Sequence, residues 1–182
     1  MRTLRFLVLA LITFGLGAPA ASGLGHAVRA PGASRATCTI TGTSDSDHLV
    51  GTAGRDVICG GRGADHISAK GGDDLIFGGP GGDVVQAGKG DDLVDGGPGK
   101  DTEYGGNGAD QLFGGKAPDR PLVGGRGADY VEGGPGSDSC LATRDGIQGN
   151  DRIVGGHGTD AYEADDGDLI RSAENAENCL GG

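Results

Sequence analysis

The residues best able to do chemistry in this chain are aspartates. Asp47, Asp56, Asp65, Asp74, Asp83, Asp92, Asp101, Asp110 and Asp119 recur every nine residues, and Asp129, Asp138, Asp151 and Asp160 continue the series after two interruptions. Of the 26 acidic residues only five are Glu. Asp is a poor residue for the interior of helices and strands, but a good turn residue and oxygen ligand. Carboxylates brought into a row repel one another unless a cation lies between them. Ca²⁺ suits such a row, because it accepts several oxygens, backbone carbonyls among them; Mg²⁺ demands a small octahedron and keeps its water.

Other chemistries find less support. No G-x-S-x-G or H-E-x-x-H pattern occurs. An EF-hand centred on Gly167 would place Tyr162 and Ala173 where carboxylates are required. His48 and His66 stand 18 residues apart and read as outward neighbours, while His157 fills a variable repeat position. Paired-carboxylate hydrolysis needs two acids in distinct settings, and the uniform spacing speaks for ligands. The chain is therefore not expected to be an enzyme.

The elements that position these acids follow from the period. Blocks of nine from Gly51 read GTAGRDVIC, GGRGADHIS, AKGGDDLIF, GGPGGDVVQ, AGKGDDLVD, GGPGKDTEY and GGNGADQLF, with a weaker GTSDSDHLV before them. Asp is sixth in each. The eighth position is mostly aliphatic: Leu49, Ile58, Ile67, Ile76, Val85, Val94, Leu112, Val131 and Ile153. Gly at positions one, two and four permits a tight turn, and positions seven to nine form a short strand with only the eighth side chain facing inward. Two blocks close one turn of a coil, so residue i stacks on residue i+18. This predicts an all-β, right-handed parallel β-roll (a β-solenoid) with 18 residues per turn and two rows of Asp along its edges.

Several departures stand out. Lys70 and Ala117 replace turn glycines. Glu103 occupies an inward position, where an unpaired carboxylate is costly, so this turn is expected either to be distorted or to bring Glu103 to a cation. A slip near Pro121 and an insertion from Ala142 to Asp145 put Asp119 to Asp160 out of the 18-residue step.

The pattern G-G-x-G-x-D-x-U-x, complete in Gly60–Ser68 and Gly78–Gln86, resembles the hemolysin-type, or repeats-in-toxin (RTX), nonapeptide family. The resemblance covers roughly residues 42–163. It implies a parallel β-roll whose turns bind several Ca²⁺ ions through the sixth-position Asp and nearby carbonyls, and which folds when calcium binds outside the cell. Many members of that family carry a catalytic or pore-forming domain and leave by a dedicated route; here an N-terminal signal is read instead.

Composition agrees. The chain holds 41 Gly among 182 residues, 4% aromatics and a net charge of −11, which argues against a nucleic-acid partner. Residues 1–20 read as a signal peptide: a basic start, an apolar run from Phe6 to Leu16 too short to span a membrane, and an Ala18-Pro19-Ala20 cleavage site. Residues 21–37 read as a flexible leader, 38–163 as the roll with an N-terminal disulfide cap, and 164–182 as a C-terminal cap covering the open strand edge. A secreted, extracellular protein is expected, and the four Cys fit an oxidising compartment. Of three connectivities, Cys38–Cys59 with Cys140–Cys179 is favoured, since each pair brackets one end of the array. A structural or interaction module is the expected role. An accessory module or enzyme acting on an extracellular polymer, or an adhesin using the outward Val57, Leu75 and Leu93, are the alternatives, and no protein or cell-surface partner is identified.

Overall fold

A computed structural model describes residues 37–143, 150–172 and 175–176. The segments expected to be a signal peptide (1–20) and, nearly all of it, a leader (21–37), together with Asp145, Cys179 and most of the last ten residues, lie outside the described residues. Every element is a strand. In chain order they are β1 (Ile40–Thr41), β2 (His48–Val50), β3 (Val57–Cys59), β4 (His66–Ser68), β5 (Leu75–Phe77), β6 (Val84–Lys89), β7 (Leu93–Pro98) and β8 (Thr102–Asn107). There follow β9 (Gln111–Lys116), β10 (Leu122–Arg126), β11 (Tyr130–Pro135), β12 (Leu141–Ala142), β13 (Arg152–His157), β14 (Ala161–Glu163), β15 (Leu169–Arg171) and β16 (Asn175–Ala176).

Odd-numbered strands form one eight-stranded parallel sheet and even-numbered strands the other, each in sequence order. The chain therefore passes from sheet to sheet at every repeat, giving a β-solenoid of about seven turns with about 18 residues each. The stacking partners are those the period predicts. Ile58 pairs with Ile76 and Ile76 with Val94 in one sheet, and Leu49 with Ile67 and Ile67 with Val85 in the other. These eighth-position side chains meet between the sheets, with Ile58, Ile76, Val85, Val94, Leu112, Val131 and Ile153 fully buried. One aliphatic residue per nine is a thin core, so the turns must carry part of the stability.

The slip near Pro121 does not break the stack. Asp119 and Leu122 flank a cis Arg120–Pro121 bond, and Leu122 takes the inward place opposite Glu103 and Leu141. The inward residue of these two repeats is thus ninth, and Cys140 takes the left-handed conformation that a second one-residue shift requires (φ 59°).

At two places where the repeat lacks a turn glycine, the left-handed conformation persists at a cost. Lys70 sits at φ 80° and Ala117 at φ 97°. Left-handed backbone costs an L-residue about 1–2 kcal/mol, part of which glycine returns through its freer unfolded chain. Lys70→Gly and Ala117→Gly are each expected to stabilise the roll by about 0.5–1 kcal/mol, read from urea unfolding in saturating calcium. No gain in either variant would contradict this account.

The N-terminal end is closed by the Cys38–Cys59 disulfide, with Cα atoms 5.9 Å apart. Closing a loop of this length contributes about 3 kcal/mol in the chain-entropy picture. Cys140 is half-buried and has no disulfide partner among the described residues; Cys179, the partner expected for it, is outside them. Among the described residues no helix is long and apolar enough to cross a membrane.

Candidate metal centre

Each sixth-position Asp stands just before a strand, directly in most repeats and three residues ahead at Asp119 and Asp138, so the parallel stack that aligns the strands also aligns the carboxylates. Its backbone N–H donates to Oδ1 of the Asp one turn on. In one row Asp47, Asp65, Asp83 and Asp101 donate to Asp65, Asp83, Asp101 and Asp119, each at 2.8 Å. In the other, Asp56, Asp74 and Asp92 donate to Asp74, Asp92 and Asp110 at 2.7–2.9 Å.

The rows continue where the sequence loses its step. Asp110 donates to Asp129 and Asp119 to Asp138, across 19 residues. Asp129 donates to Asp151 and Asp138 to Asp160, across 22. All thirteen Asp therefore belong to two unbroken rows.

In the repeats that open with glycine the second carboxylate oxygen points inward against that glycine, whereas the repeats of Asp74 and Asp92 open with Ala69 and Ala87. A side chain on Gly78 would meet Asp83 Oδ2 at 2.6 Å and the Gly96 carbonyl oxygen at 2.7 Å; one on Gly105 would meet Asp110 Oδ2 at 2.5 Å and the Gly124 carbonyl at 2.6 Å. An acidic oxygen and a carbonyl of the next turn thus share a space left open by a missing side chain. In Asp65, Asp74, Asp83, Asp92, Asp101, Asp110, Asp119 and Asp138 this Oδ2 is buried and accepts no hydrogen bond. Burial pushes Asp83, Asp92 and Asp138 up to about 6 and Asp101, Asp110 and Asp119 up to about 7; the neighbouring Asp N–H opposes the rise, and the stacked charges add to it.

The first two Asp differ. Thr43 stands at position two, and its N–H (2.6 Å) and hydroxyl (3.0 Å) both donate to Asp47 Oδ2. Thr52 serves Asp56 Oδ2 likewise, at 2.7 and 3.0 Å. The sequence reading grouped these two with the rest, although Thr at position two was the visible signal of a turn closed by protein atoms.

One member of the array was missed. Asp151 donates to Asp168 Oδ1 at 3.3 Å, and the Asp165 N–H donates to Asp168 Oδ2 at 2.9 Å. Asp168-Leu169-Ile170 keeps the D-x-U end of the repeat without its glycines, and Ile170 pairs with the inward Ile153. That short echo could have identified it.

Glu103 is fully buried, and the turn is not distorted around it: it pairs in register with Val85 and Leu122. Burial first, then the charges of Asp101, Asp119 and Asp95, push its carboxyl well above the usual range, and the Gly96 amide offsets only part of this.

His48 and His66 stack outward with ring centroids 5.2 Å apart. Among the described residues no three carboxylate, imidazole or thiol groups converge in metal-binding geometry. A cation in this array would accordingly complete its shell with backbone carbonyls. The donor set of buried acidic oxygens facing carbonyls is that of a hard ion such as Ca²⁺.

Comparison with known proteins bears on the same residues. The pattern of the RTX calcium-binding nonapeptide repeat (4 copies) matches residues 41–76, 68–103, 77–112, 121–143 and 146–168, well over half of the chain. No curated protein and no solved structure matches it.

Proposed function

The chain belongs to the RTX calcium-binding nonapeptide repeat family, and from that premise we propose that it is a secreted structural or interaction module whose roll is completed by calcium. The observation that carries this reading is the row of buried Asp Oδ2 atoms without hydrogen bonds. An ionised carboxylate so placed costs several kcal/mol unless a cation reaches it.

We assign the ligand role to Asp65, Asp74, Asp83, Asp92, Asp101, Asp110, Asp119 and Asp138, each with the carbonyls of adjoining turns. Asp129, Asp151 and Asp160 continue the same rows and are assigned with them. Asp47 and Asp56, already served by Thr43 and Thr52, are assigned to closing the N-terminal turns instead. Calcium that binds the roll and not the unfolded chain stabilises the roll by mass action. The Cys38–Cys59 disulfide and the apolar run at residues 6–16 support export to an oxidising, calcium-rich exterior.

The test is circular dichroism of the full chain in EGTA, then with excess Ca²⁺, paired with ion counting by native mass spectrometry. Strand signal is expected to fall in EGTA and return with calcium. Asp83→Asn is expected to bind one ion fewer, and Asp47→Asn the full number. A strand signal indifferent to EGTA, with no ions retained, would sink the reading.

A further inference from the structure

Glu103 stands where its stacked neighbours Val85 and Leu122 carry apolar side chains. It is wholly buried, and neither carboxylate oxygen has a well-aligned hydrogen-bond partner, the Gly96 amide easing its charge only in part. Three oxygens crowd the position that a side chain on Gly96 would occupy. They are Glu103 Oε1, Asp101 Oδ2 at 2.8 Å and the Gly114 carbonyl oxygen at 2.9 Å. The corresponding position at Gly78 meets only Asp83 Oδ2 (2.6 Å) and a carbonyl oxygen (2.7 Å) before the same Asp's Cβ; at Gly114 it meets Asp119 Oδ2 (2.5 Å), a carbonyl (3.0 Å) and a methyl of Leu122 (3.0 Å). The turn that begins at Gly96 therefore has an additional anionic oxygen, supplied from the core.

We propose that this turn is a distinct, high-affinity divalent-cation site, in which Glu103 joins Asp101 as a second carboxylate ligand from inside the roll. This rests on the calcium reading above and sharpens it at one turn. Two carboxylates sharing one space balance the charge of a single Ca²⁺, whereas one proton would neutralise only one of them. Affinity among calcium sites follows the number of charged ligands and the rigidity of the cage. Here the extra ligand comes from a strand paired on both sides, so it is rigidly placed. The other turns offer one inward carboxylate each and are expected to bind more weakly.

The experiment is stepwise calcium removal from the full chain by chelators of increasing strength, with ions counted by native mass spectrometry and affinities measured by calorimetry. The wild-type chain is expected to keep one ion after the others have left. Glu103→Leu, which restores the apolar column, is expected to weaken that ion by at least about tenfold and leave the remaining ions unchanged. Glu103→Gln, which keeps the volume and removes the charge, reads the same loss if the leucine variant does not fold. A single affinity class in the wild-type chain overturns the proposal, as does a tight class that survives both substitutions. A wild-type chain that takes up no calcium overturns the parent reading as well; calcium uptake with unchanged variants overturns this proposal alone.

Discussion

Stripped of calcium, the chain is expected to be most ordered in mild acid and to lose its strand signal as the pH rises from about 5 to 7. Free carboxyls titrate near 4, whereas in the metal-free roll Asp83, Asp92 and Asp138 lie near 6 and Asp101, Asp110 and Asp119 near 7. A carboxyl raised on folding holds its proton more tightly in the fold. Its contribution is complete below the unfolded value of about 4 and is lost as the pH climbs through the folded value. Six such groups give up their protons over the same interval, and each ionised oxygen then faces carbonyls and a carboxylate one turn away. Acid thus substitutes for calcium, and in excess calcium the dependence reverses, because the ion displaces protons more readily as the pH rises. Far-UV circular dichroism at several pH values from 4.5 to 8 (roughly the interval spanning both pKa ranges), in EGTA and in calcium, checks both halves. A metal-free signal that grows with pH would show that burial does not govern these carboxyls.

A second large effect is expected at fourth-position glycines. A side chain on Gly99 would be driven into the Gly81 carbonyl of the turn before it. Backbone meets backbone there, so no side-chain rotation relieves the collision. Gly99→Val is expected to cost more than about 3 kcal/mol and, because a solenoid is held turn to neighbouring turn, to uncouple the two halves of the array. Gly54 holds the same place in its repeat but has nothing within 4 Å of the added carbon. Gly54→Ala is accordingly expected to be neutral or to stabilise by about 0.5 kcal/mol through the unfolded chain. Urea unfolding in saturating calcium separates the two; equal effects would refute the stacking account.

The repeat made much of this legible. A period of nine with an aliphatic eighth residue places Ile58 over Ile76 and Asp65 beside Asp83, because stacked identical blocks have few other ways to bury one side chain each. What the period cannot reveal is the partner of each atom. Asp47 and Asp83 occupy equivalent positions, yet one inward oxygen is held by Thr43 and the other accepts no hydrogen bond. The rows also survive interruptions that looked disruptive. Pro121 and Cys140 absorb one residue each between Asp and the inward side chain, and their carbonyls still accept inter-turn bonds from the Glu103 and Leu122 amides. Asp168 escaped notice because its glycines are gone, although the strand that follows it still pairs.

The alternation of odd and even strands between two sheets gives the molecule a parity. Removing one full turn, such as residues 60–77, would bring Cys59 to Gly78 and leave every later strand in its own sheet, merely shortening the roll. Removing half a turn, residues 60–68, would preserve each Asp row and each inward residue, yet it would exchange the two outer faces for everything downstream. Leu75 and Leu93 would then follow His48 instead of Val57. Length can therefore vary in whole turns with the surface pattern intact, whereas a half-turn change rewrites what each side of the molecule presents.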